Sequence, residues 1–281
     1  MKAGEFILQA TRIMERAGDA EARIDAEWML CDALGIGRGA LRAHLEDELD
    51  GARQELLERW VKRRARGEPL GYVQGRAYFM GLEFAVDARV LIPRQDTETL
   101  CEAAIGFLRA RGGGAALDLC TGSGALAVAI AKACPGARVS AADISGGALE
   151  VAQKNARAHG ARVRFYQGDL FAPLSHARFD LIVTNPPYIS DAEMETLQRE
   201  VRWEPALALR GGADGLDFYR RIACEAGVRL SPGGALMAEV GAGQSRRVAA
   251  LFEAALPDAR LEIARDLNGI ERVVQLFKRT V

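Results

Sequence analysis

From Gly114 to Val240 the apolar runs keep a steady rhythm. They end at Leu119, Ile144, Tyr166, Thr184 and Val240, with segments of helical character between them. Neighbouring strands that are joined through helices run parallel, because a hairpin turn cannot make that connection. The alternation therefore predicts a parallel, doubly wound α/β sheet. The tail breaks the rhythm. Leu261–Ala264 and Arg272–Phe277 flank Asn268-Gly269, the strongest short hairpin signal. A mostly parallel sheet closed by a terminal antiparallel hairpin is narrower than a generic dinucleotide-binding fold.

At roughly 150 residues per domain, 281 residues leave room for a second unit. The amino-terminal stretch supplies it. Phe6, Ala10, Ile13 and Ala17 recur at three- and four-residue spacing, as do Ala22, Ala26, Met29 and Ala33. Gly35 reads as the stop of the second helix. A third helix carries Leu56, Leu57, Trp60 and Val61 and is closed by Gly67 and Pro69. Its end bears Arg59, Lys62, Arg63, Arg64 and Arg66, which reads as a solvated helix face, the alternative being a binding surface. Tyr78, Phe79, Leu82, Phe84 and Val86 around Gly81 predict a short hairpin. The expected organisation is a helical bundle over residues 1–75, a hairpin linker over 76–95 and an α/β domain over 96–281.

Composition narrows the class. With 49% hydrophobic and 27% charged residues, the chain is neither collagenous nor disordered. Lys plus Arg number 37 against 38 Asp plus Glu, so a dedicated nucleic-acid binder, which needs a basic excess, is not expected. The longest apolar stretch, Ala125–Ala131, falls far short of the ~20 residues that cross a bilayer. Glu5, Arg12, Glu15 and Arg16 interrupt any signal-peptide core. Five scattered cysteines without a CxxC pair and only three histidines offer no metal cluster. These features together predict a cytoplasmic protein without disulfides, metal or membrane contact.

Asp118-Leu119-Cys120-Thr121-Gly122-Ser123-Gly124 stands where the first strand of the rhythm turns into a helix. Glycines there let a ligand approach the backbone, and the helix that follows offers free N–H groups. Gly122, Gly124 and Ala127 also fit a relaxed dinucleotide fingerprint, with Asp143 about 20 residues on. A carboxylate there accepts from ribose hydroxyls, so NAD and S-adenosylmethionine both remain candidates. Asp118 favours the second: a carboxylate at the strand end repels a pyrophosphate but suits the ammonium of methionine. On that reading Thr121 to Ala125 wrap the methionine portion and Asp143 takes the ribose, with Ile144 beside it. Asp169 accepts from the adenine amino group, its alternative being a helix N-cap, and Leu170 gives apolar contact.

Phe179–Thr184 is a buried-strand pattern, followed directly by Asn185-Pro186-Pro187-Tyr188. Consecutive prolines remove two N–H donors and hold the preceding residues extended, leaving a rim of acceptors. The side-chain carbonyl of Asn185 and the main-chain carbonyl of Pro186 can then accept from one planar NH2 group, while Tyr188 stacks on its flat face. The alternative, a plain Pro-Pro turn, explains neither Asn185 nor Tyr188.

This loop, together with the glycine loop, resembles the class I S-adenosylmethionine-dependent methyltransferases that modify planar nitrogens. Further segments are Gly67-Glu68-Pro69-Leu70-Gly71-Tyr72, Leu91-Ile92-Pro93-Arg94, Asp96-Thr97-Glu98, Glu204-Pro205-Ala206-Leu207, Gly215-Leu216-Asp217-Phe218-Tyr219 and Asp266-Leu267-Asn268-Gly269. With them, nearly the whole chain is similar to the peptide chain release factor glutamine methyltransferases. Cys120 departs from the glycine that many methyltransferases carry there, and Gln95 from an expected proline. The resemblance implies methyl transfer from S-adenosyl-L-methionine to the glutamine side-chain nitrogen in the Gly-Gly-Gln loop of bacterial class 1 release factors. S-adenosyl-L-homocysteine is the product, and no metal is involved. It also implies Asn185, Pro186 and Tyr188 as catalytic residues, joined by Pro187 in holding substrate. The competing classes are a nucleic-acid amino methyltransferase using the same loop on a base, an NAD oxidoreductase and a non-catalytic binding module.

Overall fold

A computed structural model of the chain describes residues 1–174 and 177–280. It divides into two compact units, one of Met1–Gly75 with Gln198–Trp203, the other of Arg76–Leu197 with Glu204–Val281.

The first unit packs α1 (Ala3–Arg16), α2 (Ala22–Leu34), α3 (Gly51–Ala65) and the short α4 (Leu70–Gln74). Its core gathers Phe6, Ala10 and Met14 with Ala22, Ala26, Met29, Leu57 and Val61. The apolar stripe of α1 differs from the expected one. Met14 is buried while Ile13 is half exposed and the helix ends at Arg16, so the 3–4–4 spacing runs through Ala3, Phe6, Ala10 and Met14. Gly35 does close α2, in the left-handed conformation (φ 68°). The basic end of α3 needs a correction. Arg64 is buried, not solvated, because Asp19 (3.0 Å), Asp25 (2.5 Å) and Glu200 (2.9 Å) surround its guanidinium. Periodicity cannot reveal a charge whose partners lie far off in sequence. Arg199 donates to the carbonyls of Ala17 and Ala65, which holds the 198–203 segment to this bundle.

In the second unit β1 (Arg76–Phe79) and β2 (Leu82–Ala85) form an antiparallel hairpin turned by Met80 and Gly81, both at positive φ. After α5 (Asp96–Ala110) come β3 (Gly114–Leu119), α6 (Ala125–Ala133), β4 (Ala137–Asp143), α7 (Gly146–Ala158), β5 (Val163–Gln167) and β6 (Phe179–Thr184). The short α8 (Asp191–Met194) and α9 (Ala206–Leu209) precede α10 (Asp217–Arg229), β7 (Leu230–Glu239), α11 (Ser245–Ala255), β8 (Arg260–Arg265) and β9 (Glu271–Phe277). The strand order is β5-β4-β3-β6-β7-β9-β8, parallel throughout except where β9 pairs with β7 and β8. This is the mostly parallel sheet with an antiparallel terminal hairpin that the apolar rhythm predicts. Pro232 sits within β7 because the register slips between Phe179 and Leu181, and that irregularity absorbs the missing donor.

Side chains alternate across the sheet. Ala116, Val139, Leu181, Val183 and Met237 face α5 and α6, while Leu117, Leu119, Ile182, Leu236 and Val274 face α10 and α11. Tyr219 and Ile222 on α10 and Phe252 on α11 are fully buried there. Each contributes about 1.5–3 kcal/mol of transfer free energy. The chain leaves β3 for one side of the sheet and β6 lies on the other, so the order reverses between them. Their carboxyl ends are where such a sheet opens a ligand crevice. Among the described residues no helix is long and apolar enough to cross a membrane.

Candidate active site

A cleft of about 170 Å³ opens at that reversal. Register explains which loops meet there: Leu119 pairs with Ala142 on one side and with Thr184 on the other. The loops leaving β3, β4 and β6 are thus adjacent. Cys120, Gly122, Asp143, Ile144, Asp169, Leu170, Asn185 and Pro187 all line the cleft, and Val90, Leu91, Leu207, Phe218 and Arg221 line it with them.

Asp143 is held by the backbone. Its Oδ2 accepts from Gly122 N and its Oδ1 from Ser145 N, both at 2.9 Å. Burial nevertheless raises its pKa, against the lowering effect of those bonds. Asp143 therefore shapes the glycine loop as well as walling the cleft.

Asp118, Thr121, Ser123, Gly124 and Ala125, expected around the methionine portion, are buried and do not line the cleft. The reason is local. Asp118 Oδ2 accepts from Thr121 Oγ1 (2.6 Å) and from Ala127 N (3.2 Å), which turns the carboxylate in under the loop. Its Oδ1 has no partner, and burial pushes its pKa up to about 7. Gly124 starts α6 at φ 80°, and a Cβ there would meet Ala152 Cβ at 2.9 Å. Cys120 takes a left-handed φ of 60°. That is why a glycine is expected there: a side chain in this region carries strain of about 1–3 kcal/mol. The second departure is milder, since Gln95 has a φ of −61°, the value a proline ring imposes.

Asp169 is paired with Arg221 at 2.6 Å, both about half exposed, so its carboxylate already has a partner on α10. Its side chain is not the helix cap of the alternative reading; its main-chain oxygen accepts from Ala172 N. Leu170 is buried at φ 48°, a second strained residue at the cleft wall.

In the Asn185-Pro186-Pro187-Tyr188 loop the two prolines are buried and Asn185 and Tyr188 are half buried. Asn185 Nδ2 donates to Thr97 Oγ1 at 3.2 Å. Tyr188 does not line the cleft; burial raises its pKa to about 12, and its main-chain oxygen accepts from Gln244 Nε2 at 2.9 Å. Gly215, at φ 75°, lets the chain pass so close to Tyr188 O that a Cβ would stand at 2.3 Å.

Several supporting residues receive no role from the sequence alone. Glu204 is buried and accepts from Ile92 N (3.0 Å) and from Arg94, which fastens the 91–94 segment beside the cleft. Glu239 is 1% exposed at the end of β7, where Thr97 and Asn185 pull its raised pKa down. Its signal is present in the chain: a carboxylate closing the apolar run Ala235-Leu236-Met237-Ala238. Arg221 and Gln244, on polar faces of the sequence, carry no such signal.

Comparison with known proteins adds to this geometry. Residues 100–204 match the family model of the methyltransferase small domain, and residues 5–75 match that of the PrmC N-terminal domain. The chain is 46% identical over 270 residues to the release factor glutamine methyltransferase of Geobacter sulfurreducens, covering 95% of this chain and 94% of that one. It is 42% identical to those of Moorella thermoacetica (96% of each chain) and Cereibacter sphaeroides (98% of each). In structure it is similar to a methyltransferase from Pyrococcus furiosus, with a TM-score of 0.50, 18% identity, and 82% of this chain and all of that one covered.

Proposed function

The chain belongs to the release factor glutamine methyltransferase family, and from that premise we propose how its own residues carry the reaction. It transfers a methyl group from S-adenosyl-L-methionine to the side-chain amide nitrogen of a glutamine in a peptide chain release factor. The observation that carries the assignment of roles is Asn185. Its amide lines the cleft at the switch point, while its Nδ2 is occupied by Thr97 on the side away from solvent.

The residues present fit S-adenosyl-L-methionine. Asp143 offers remaining lone pairs to ribose hydroxyls, Ile144 and Leu170 give apolar surface for a purine, and the backbone at Cys120 and Gly122 is exposed to the methionine portion. Asp118, Thr121, Ser123, Gly124 and Ala125 act by holding that loop in shape rather than by forming the wall. We assign Asp169 to the adenine end with its partner Arg221. The bound donor supplies a methyl group on a sulfonium, already a good leaving group, so no metal is required.

A carboxamide nitrogen is a weak nucleophile because its lone pair is delocalised. The protein's task is therefore placement and exclusion of water. Asn185 Oδ1 and Pro186 O accept from the substrate NH2 and stabilise positive charge as it develops on nitrogen. Pro187 covers the amide plane, and Tyr188, set back from the cleft, keeps the loop shape. The proton leaves after transfer, so no general base in the loop is demanded. Residues 1–75 are proposed to grip the body of the release factor, because a glutamine on a protein loop needs a surface beyond the pocket. The substrate is a translation factor, so we assign the enzyme to the cytoplasm.

The test is incubation of the protein with radiolabelled methyl donor and either a bacterial class 1 release factor or ribosomal RNA. Label is expected on the release factor. Label on RNA alone would replace this reading with a nucleic-acid amino methyltransferase.

A further inference from the structure

The carboxyl end of β6 has a neighbour that the reaction as described leaves unused. Thr184 pairs with Ala238 across β6 and β7, so the next residues, Asn185 and Glu239, stand side by side at the carboxyl ends of these strands. Glu239 is 1% exposed, and its Oε2 has no hydrogen-bond partner. Thr97 on α5 and Asn185 both act on the carboxylate to pull its pKa down, and Asn185 Nδ2 donates to Thr97 Oγ1 at 3.2 Å. The hydroxyl accepts from the amide, which leaves its own hydrogen for the carboxylate beside it.

We infer that Glu239, directly and through Thr97, is a positioning residue that fixes which way the Asn185 amide faces and so turns its carbonyl oxygen toward the substrate nitrogen. The two ends of a carboxamide are nearly the same shape, so packing alone cannot choose between them. An ionised carboxylate can, because it is acceptor-only and demands the NH2 end. Turned the other way, Asn185 would present donors to a substrate NH2 that is itself a donor, and the placement would be lost.

The device depends on charge. Burial raises the pKa of Glu239 to about 7, with Thr97, Arg272 and Asn185 pulling it down and Asp96 pushing it up. Arg272 comes from β9 and is itself bound to Asp96 (2.9 Å) and Asp266 (3.2 Å). Tyr188 stands near Glu239 as a neutral phenol, and Tyr219, from α10 on the other face of the sheet, donates to the main-chain oxygen of Glu239 at 2.7 Å. A protonated Glu239 can donate to Asn185 Oδ1 and hold the amide in the wrong orientation. The orientation, and with it kcat, should therefore follow the ionisation of Glu239, rising with pH through about 7.

The inference rests on the methyltransferase reading for its activity arm alone, and the first arm needs no turnover. The full-length protein with S-adenosyl-L-homocysteine is titrated by NMR, following the side-chain amide resonances of Asn185, assigned by their loss in Asn185→Ala. In the wild type they should shift with a midpoint near 7, and in Glu239→Gln they should not move. In the second arm, Thr97→Val and Glu239→Gln should lower kcat on release factor by the order of a hundredfold, as expected for a misplaced reacting atom. Binding of S-adenosyl-L-homocysteine should stay within about threefold, and Thr97→Ser, which keeps the hydroxyl, should recover most of the rate. Wild-type resonances that do not titrate, or a Thr97→Val enzyme with most of its kcat, would overturn the inference. A wild type that titrates as expected but methylates no release factor would instead remove the proposed function and leave the orientation of Asn185 standing.

Discussion

Replacing Asp143 by alanine should destabilise the fold as much as it weakens cofactor binding. The carboxylate accepts two backbone N–H bonds of 2.9 Å, from Gly122 and Ser145. Hydrogen bonds to a charged group are worth about 1.5–3 kcal/mol each. Both are lost in Asp143→Ala, but water in the open cleft can recapture part of that loss. A fall of about 3 kcal/mol in unfolding free energy of the ligand-free protein is therefore expected. Asp143→Asn keeps one acceptor oxygen and turns an NH2 toward the other N–H, so it should lose about half as much. Cofactor affinity in the alanine variant should fall by about 1.5–3 kcal/mol, the value of one charge-assisted bond to the ribose. Urea titration without ligand and calorimetry with S-adenosyl-L-homocysteine separate the two effects. An alanine variant within about 0.5 kcal/mol of the wild type would show that the two backbone bonds hold nothing, and the loop account would be wrong.

Three further outcomes follow from buried or strained groups. Arg64→Ala leaves Asp19 and Asp25 buried without their cation and should cost about 3–5 kcal/mol by urea unfolding; a loss under 1 kcal/mol would mean that water reaches the cluster. Cys120→Gly relieves a positive φ but makes the unfolded chain more flexible, so its net effect should lie between about zero and +1 kcal/mol of stability, against the destabilisation usual for a core truncation. Asp118 has a folded pKa raised to about 7, so the unfolded chain loses this proton first and the group's contribution declines as pH rises from about 4 to about 7. Asp118→Asn should therefore match the wild type near pH 4 and exceed it increasingly up to pH 7 in unfolding titrations without ligand, whereas a constant difference across that range would show that Asp118 does not titrate there.

The parts of this chain legible in sequence are those written in short-range pattern. The βα rhythm, the Asn268-Gly269 hairpin, Gly35 and the glycine and Asn-Pro-Pro-Tyr loops depend on neighbours within a few residues, and a cleft opens where those two loops meet. What sequence hides is long-range and polar. Arg64 looks like one more cation in a run until Asp19, Asp25 and Glu200 arrive from three other segments. Asp118 looks like a ligand for an ammonium because its spacing cannot show that Thr121 and Ala127 N turn it inward. Ile13 and Met14 compete for one helical stripe, and only packing against α2 and α3 decides for Met14. Glu239 shows the converse: a carboxylate ending an apolar strand is conspicuous, but its meaning needs the register that sets it beside Asn185.

The claim on which the rest depends is that Asn185 holds the amide nitrogen of a release factor glutamine for methyl transfer. Tandem mass spectrometry of a release factor after single-turnover reaction, with wild-type enzyme and with Asn185→Ala, tests it most directly. One added methyl group is expected on the side-chain nitrogen of the glutamine in the Gly-Gly-Gln loop, with a rate at least about a hundredfold lower in the variant and cofactor affinity changed far less. A methyl group on any other residue, or an Asn185→Ala enzyme that modifies the glutamine at close to the wild-type rate, would contradict it.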